Sequence, residues 1–504
     1  INGIEAMNLI HEHEYDIVLS DYNLGNSKDG QQILEEARFT HRLRATSLFI
    51  VITGENAMDM VMGALEYDPD GYITKPYTLD MLKERHIRIM TIKEGLINGN
   101  KAIDLKKYDL AIKQCLQVLE HNPRLRLPAS RILGQLLLRQ KQYAQALKIY
   151  SQLLEERSIS WAKLGQAICI FKLGEPEKAL RLLENTLMDH PLYVQCNDWI
   201  AKILLSLKKP EEAQSSLEKA ILVSPKAVLR QMELGRIAFK NGDLETAEKA
   251  YKYAMRLGRH SCHKSVNNYL QFARSAQSLL NNPKERQVQN KANEALRALE
   301  EVKQDYSDNS DALFEASIVE SKTYSNMEHP KLTKSSANDA EKLLGTYEVP
   351  SIDYQLLLTE AFIDSDQSVK AQKIIDELKK SKLTHKQEIT LIRLDNALNG
   401  EALKRHSSLL NDEGISYYEK GELEDAIIAF DQATHYEQAS TSVLLNSIQA
   451  KVSLMERESP DKQHLKDVRT LLIRIGELGK NDERFVRYSR LRKTYDRLCR
   501  AVEK

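Results

Sequence analysis

An alanine returns along this chain about every 34 residues, and that period restricts the fold more than any other feature. Ala111, Ala146, Ala179, Ala213 and Ala247 are separated by 35, 33, 34 and 34 positions. Four residues after each stands a larger one: Cys115, Tyr150, Leu183, Leu217 and Tyr251. Twelve before each stands a small one, Gly99, Gly134, Ala167, Ala201 or Gly235, and Pro123, Pro191 and Pro225 stand twelve after. The small residue and the Ala let two antiparallel helices approach closely, and the larger residue fills the gap to the next pair. The Pro ends the second helix because it cannot donate the hydrogen bond that continuation requires.

This pattern resembles the tetratricopeptide repeat, whose helix pairs stack into a right-handed superhelix. Five consecutive copies run from about Ile92 to Arg259, and Trp161 with Leu164-Gly165 resembles the family's opening signature. A further copy comes late, Gly414-Ile415-Ser416-Tyr417 with Ala426, Phe430 and Ala433. Between them divergent repeats are expected, with Ala295 and Ala371 at second-helix positions. Loops are expected at Asn281-Asn282-Pro283, from Ser307 to Ser310, and from His329-Pro330 to Asn338. A helical region from Gln463 to Glu503 is expected to cap the stack. Counting from the small residues puts Arg131, Gln135, Arg139, Lys172, Lys202, Arg236 and Lys240 on or near the inner wall, beside Leu138, Phe171, Leu205 and Phe239. Such a groove suits an acidic peptide with apolar anchors. The competing reading is a row of solvated charges on a helix face.

The first ninety residues follow another rule. Apolar runs at Ile17 to Leu19, Leu48 to Ile52 and Tyr72-Ile73 alternate with amphipathic stretches, as buried parallel strands alternate with helices. In an open α/β sheet the carboxyl ends of such strands share one edge, which would bring Asp21, Thr53 and Lys75 together. These residues resemble the receiver domain of two-component response regulators. The resemblance implies Asp21 as phosphoacceptor for a histidine kinase, Thr53 as switch hydroxyl, Tyr72 as the rotating aromatic, and Lys75, followed by Pro76, as the cation on the phosphoryl oxygens. It also implies Mg²⁺, held by Asp21, the Asn23 backbone carbonyl and an acidic pair at the end of the family's first strand. No such pair precedes Asp21 here. The chain opens at Ile1 without Met, and residues 3–14 read as the helix before the third strand, so the first strand is expected to lie upstream. Gly25 stands where Pro is usual, and Gly54 replaces the usual Ala. A receiver that no longer accepts phosphate, and an ordinary doubly wound domain, stay open as readings.

The 72 basic and 72 acidic residues cancel, which argues against a nucleic-acid-binding protein as a whole. No apolar stretch approaches the roughly 20 residues of a spanning helix, so no membrane partner is expected. Five Cys, at 115, 169, 196, 262 and 499, show no disulfide or zinc spacing and suit a reducing, cytoplasmic setting. His260-Ser261-Cys262-His263 offers soft ligands, but no second Cys/His cluster completes a tetrahedral site. The tail from Arg484 to Lys493 is basic with interleaved aromatics, as in RNA-binding segments. Val486, Leu491, Tyr495 and Leu498 equally suit the buried side of a capping helix. From Thr78 to Glu94 there is neither Gly nor Pro, so the last receiver helix is expected to run nearly unbroken into the first repeat.

The expected fold is multidomain: a doubly wound, flavodoxin-like α/β receiver fragment over 1–90, then an all-α superhelix. The helical part divides into five repeats over 91–260, divergent repeats over 261–405, a repeat over 406–440 and capping helices over 441–504. The leading expectation is a bacterial response regulator, not itself an enzyme beyond autodephosphorylation, whose repeats bind an unidentified protein. The alternatives are a phosphorylation-independent scaffold, whose receiver serves for homodimerisation or docking, and an RNA-associated regulator.

Overall fold

The structure, a computed structural model, describes residues 1–25, 28–54, 66–434, 440–476, 478–479 and 482–502. Asn26 and Ser27 of the loop after Asp21, residues 435–439 of the expected late repeat, and residues 477, 480–481 and 503–504 of the expected capping region lie outside them. The chain forms two compact units, Ile1–His329 and Pro330–Lys504.

The first unit begins with three parallel strands, β1 (Ile17–Asp21), β2 (Leu48–Thr53) and β3 (Gly71–Thr74), in the spatial order β1-β2-β3. All six residues of β2, Leu-Phe-Ile-Val-Ile-Thr, are buried, as a central strand covered on both faces requires. Helices Gly3–Glu12 and Gly30–Phe39 pack on one face through Met7, Ile10, Ile33, Leu34 and Ala37 against Phe49 and Val51. Each opens with a capping box, Asn2 with Glu5 and Asp29 with Gln32, which satisfies amide donors left unpaired at a helix start. On the other face Ile50, Ile52 and Ile73 meet Leu82 and Ile89 of helix Leu79–Gly95. That helix gives way at Leu96 to helix Ile97–Asp104, so the nearly continuous run has a single joint.

From there antiparallel helix pairs follow one another. The first helices are Ile97–Asp104, Arg126–Arg139, Ser160–Lys172, Gln195–Ser206 and Val228–Asn241. Their partners are Tyr108–His121, Tyr143–Glu156, Pro176–Asp189, Pro210–Val223 and Leu244–Gly258. All five marker alanines are fully buried, and the larger residues four positions on are buried with them. Between the helices of each pair one residue takes a left-handed conformation: Lys106, Lys141, Gly174, Lys208 and Gly242. Those positions repeat at the alanine spacing, so the turn belongs to the repeat although only two of its five residues are Gly. Helices Val266–Gln277, Arg286–Asp305 and Ser310–Asn326 complete this unit.

The second unit is wholly helical among its described residues. Residues 330–338, expected as a loop, instead open helix Pro330–Leu344. Proline is compatible with a first helical turn, where its missing N–H would have no partner. Helix His385–Lys420 runs straight across the boundary expected at 405/406. Gly414 on that helix accommodates Phe430 of helix Leu423–Thr434, and a Cβ there would come within 2.7 Å of the ring. Helices Lys462–Ile475 and Phe485–Val502 close the unit. Leu491 and Leu498 are buried as expected, but Val486 is exposed, and Tyr488 takes its place in the core. Basic residues of the tail are engaged by neighbours: Arg484 by Asp482, Arg487 by Asn446 and Gln449, and Arg492 by the Tyr488 hydroxyl; further along the same helix Arg497 meets Glu456.

Tyr150 shows how the repeats interlock. Its ring lies between Gly134 of its own repeat and Gly165 of the next; a Cβ at those glycines would stand 2.5 and 2.3 Å from ring atoms. The ring is buried and cannot swing clear. Gly165→Ala is therefore expected to destabilise the unit by about 1–3 kcal/mol through overpacking, read as a lower urea midpoint. Adding Tyr150→Leu is expected to recover part of the loss, and a double variant no more stable than Gly165→Ala alone would show that the ring is not the obstacle.

Candidate functional site

The sheet register decides what meets at the carboxyl edge. Asp21 pairs with Ile52, and Thr53, one residue further, pairs with Thr74, the residue before Lys75. Three side chains thus reach one edge from three strands. The Lys75 ammonium contacts the Asp21 carboxylate directly, and this hydrogen bond pushes the lysine pKa up. Burial pushes the Tyr72 hydroxyl pKa up, and its hydrogen bond with Thr53 opposes that. The Lys75-Pro76 peptide is cis, and the Lys75 amide donates to the Thr53 carbonyl at 2.7 Å. Asp21 and Lys75 are both partly open to solvent, so the pair can be reached from outside.

The carboxylate is also tied to the helix that follows it. The Asn23 amide donates to Asp21 Oδ1 at 3.3 Å, and the Gly30 amide to the Tyr22 carbonyl at 2.9 Å. A Cβ on Gly30 would stand 2.4 Å from the Asp21 carbonyl oxygen, so only glycine lets helix Gly30–Phe39 start so close. For a divalent cation the described residues supply one carboxylate, Asp21, and the neighbouring Asn23 carbonyl. Among them Asp21 belongs to no cluster of three ligand side chains. That is less than the octahedral shell Mg²⁺ demands unless waters and a phosphoryl group complete it, and these residues alone do not make the site.

The groove residues expected on the repeats separate into two clefts and one outlier. Arg131, Gln135 and Arg139 line a cleft of about 1240 Å³ shared with Arg38, Tyr67 and Asp68 of the α/β domain. Lys202, Arg236 and Lys240 line another of about 770 Å³, shared with Glu35, Glu66 and Tyr67. Lys172 lines neither and lies over the Phe171 ring. On this wall Arg131 pairs with Asp68 of the α/β domain at 2.8 Å while its guanidinium covers Trp161. Asp104, at the end of the first repeat helix, accepts from the Ala45 and Thr46 amides.

The strongest attachments are residues that the periodicity did not single out. Arg230 is almost wholly buried and makes paired 2.8 Å bonds to both carboxylate oxygens of Asp198, while also contacting Glu66. Burial works against its charge, but Asp198 and Glu66 outweigh that and hold its pKa above the ordinary arginine value. Burial likewise pushes the Glu66 carboxyl up, with Arg230 opposing. Ser224 donates to Glu66 at 2.8 Å, and Gln195 donates to its backbone carbonyl at 3.0 Å. Lys226 reaches Asp29 and the Tyr22 hydroxyl, both at 3.4 Å, and Gln32 reaches the Leu257 carbonyl at the same distance. His263 Nε2 meets Glu35 at 2.9 Å, and hydrogen bonds to Cys262 and Glu35 push the imidazole pKa up to about 10. Glu35 is the residue that no spacing argument could have joined to Cys262-His263, since 227 positions separate Glu35 from Cys262.

Residues 1–87 match the response regulator receiver domain, and residues 98–160 and 200–261 match the tetratricopeptide repeat. Chemotaxis protein CheY of Pseudomonas aeruginosa is 27% identical over 94 residues, 19% of this chain and 74% of that protein. Sensor histidine kinase RcsC of Salmonella typhimurium is 33% identical over 86 residues, 16% of this chain but 8% of that protein. TPR repeat-containing protein YsoA of Bacillus subtilis is 32% identical over 121 residues, 24% of this chain and 31% of that protein. Among the described residues no helix is long and apolar enough to cross a membrane. The chain joins a response regulator receiver domain to a run of tetratricopeptide repeats.

Proposed function

We propose that this protein is a two-component response regulator, phosphorylated on Asp21 by a histidine kinase, whose output is protein binding by the tetratricopeptide repeats. The observation that carries the reading is the contact of Asp21 with Lys75 at the sheet edge where Thr53 and Tyr72 also meet. A carboxylate oxygen of Asp21 forms the new P–O bond as the P–N bond of a phosphohistidine breaks, and the departing imidazole takes up a proton. Lys75 is placed to follow the charge from carboxylate to phosphoryl oxygen. Thr53 can turn its hydroxyl to the phosphoryl group only by giving up Tyr72, which is then released to turn inward. The protein acts in the cytoplasm of a bacterium on this reading.

The output follows from where the receiver lies. Phosphorylation adds about −1.5 to −2 units of charge at Asp21, and helix Gly30–Phe39 starts against the Asp21 backbone. Asp29, Gln32 and Glu35, at or on that helix, are three of the residues that hold the receiver to the repeats. A shift at the phosphoacceptor therefore reaches the seam within a few residues. While seated, the receiver's own carboxylates occupy cations that an acidic partner would use; loosening it uncovers them.

A second reading, a phosphorylation-independent scaffold, is favoured by the contacts that seat the receiver on the repeats. Incubation of the full-length protein with Mg²⁺ and a small-molecule phosphodonor separates the two. A base-labile adduct that Asp21→Ala abolishes is expected, and no adduct on the full-length wild type would favour the scaffold. The docked arrangement makes its own prediction. Arg230→Ala leaves the half-buried carboxylates of Glu66 and Asp198 without their cation, with an expected cost of about 3 kcal/mol. Hydrogen exchange is expected to rise on both helix Gly30–Phe39 and helix Val228–Asn241. A rise confined to the latter would mean that Arg230 does not hold the receiver.

A further inference from the structure

Apart from the phosphoacceptor edge, the seam between receiver and repeats brings together three side chains of different chemistry. Glu35 projects from helix Gly30–Phe39; Cys262 and His263 lie in the turn that follows helix Leu244–Gly258. One ligand atom from each lies within 4.8 Å of the other two. We infer that Glu35, Cys262 and His263 form a zinc site that clasps the receiver to the fifth tetratricopeptide repeat.

The donor set selects the metal. A thiolate, an imidazole and a carboxylate are the three ligand types Zn²⁺ takes, whereas Mg²⁺ and Ca²⁺ do not use sulfur. Charge also balances: thiolate and carboxylate together cancel Zn²⁺, so the complex is neutral in a place where Glu35 is buried and His263 nearly so. Binding releases the thiol proton of Cys262 and any proton on the coordinating imidazole nitrogen.

The surroundings already hold these ligands in place. The Tyr67 hydroxyl hydrogen-bonds the Glu35 carboxylate, and the Phe39 ring meets the His263 ring edge-on at 5.2 Å. Ser261 Oγ accepts from the His263 amide at 3.1 Å, and the Asn268 side-chain amide donates to the His263 carbonyl at 3.2 Å. Outer contacts of this kind orient ligands and raise metal affinity. Asn268 Oδ1, on the residue that braces the turn, is buried without a hydrogen-bond partner. The clasp depends on the receiver being docked, not on its accepting phosphate.

The test is a zinc titration of the full chain against a chromophoric chelator, with cobalt as a spectroscopic substitute. One equivalent of zinc per chain is expected. Cys262→Ser and Glu35→Gln are each expected to weaken binding by about 100-fold, and Cys262→Ser to abolish the thiolate-to-cobalt charge-transfer band. Glu35→Gln is the decisive variant, since its residue lies on the other domain and the substitution keeps the side chain's size. Absence of stoichiometric zinc, or zinc held equally well by Glu35→Gln, overturns the clasp. Asp21→Ala is expected to bind zinc like the wild type, so loss of the phosphoryl adduct and loss of zinc report on separate claims.

Discussion

Arg230 is the point on which the first unit turns. A guanidinium with almost no solvent access must be paired, and each of its partners comes from a different part of the unit: Asp198 from the fourth repeat and Glu66 from the receiver. The two 2.8 Å bonds to Asp198 fix the plane of the group, and Ser224 and Gln195 then position Glu66 against it. A buried pair of this kind costs several kcal/mol to break because the partner is left charged and dry. Once Glu66 is held, the neighbouring Asp68 reaches Arg131 and the receiver lies along several repeats rather than at the end of one.

Different parts of this arrangement were legible to different degrees. The alanine period gave away the helix pairs because close approach allows only small residues at the crossing, and that constraint returns at each repeat. The edge of Asp21, Thr53 and Lys75 was legible because parallel strands must end together. The turn between paired helices was harder to see, since Lys106, Lys141 and Lys208 take the left-handed conformation that glycine would advertise. Pro330 misled because it marks a helix start as readily as a loop. Docking of the receiver could not be read at all: Glu66 and Arg230, or Glu35 and His263, belong to separate periodic systems, and no local rule joins them. Of the cations expected on the inner wall, Arg131 meets a carboxylate of the receiver, Asp68, which no pattern within the repeats could have supplied.

Tethering changes what such a ligand can do. A receiver carried on the same chain faces the repeats at an effective concentration on the order of millimolar, so a partner present at micromolar levels starts about a thousandfold behind. Each tenfold of that handicap corresponds to about 1.4 kcal/mol. Pairs open in part to solvent, such as Lys226 with Asp29, are worth about 0–1 kcal/mol and cannot supply the difference alone. A competing partner therefore has to overcome the more buried contacts. Glu35 with His263 is such a contact, on the helix that begins against the Asp21 backbone. Arg230 lies on the other side of the seam, reached through Tyr67, whose hydroxyl hydrogen-bonds Glu35 and which follows Glu66 directly in the chain. The two attachments are thus joined by one tyrosine.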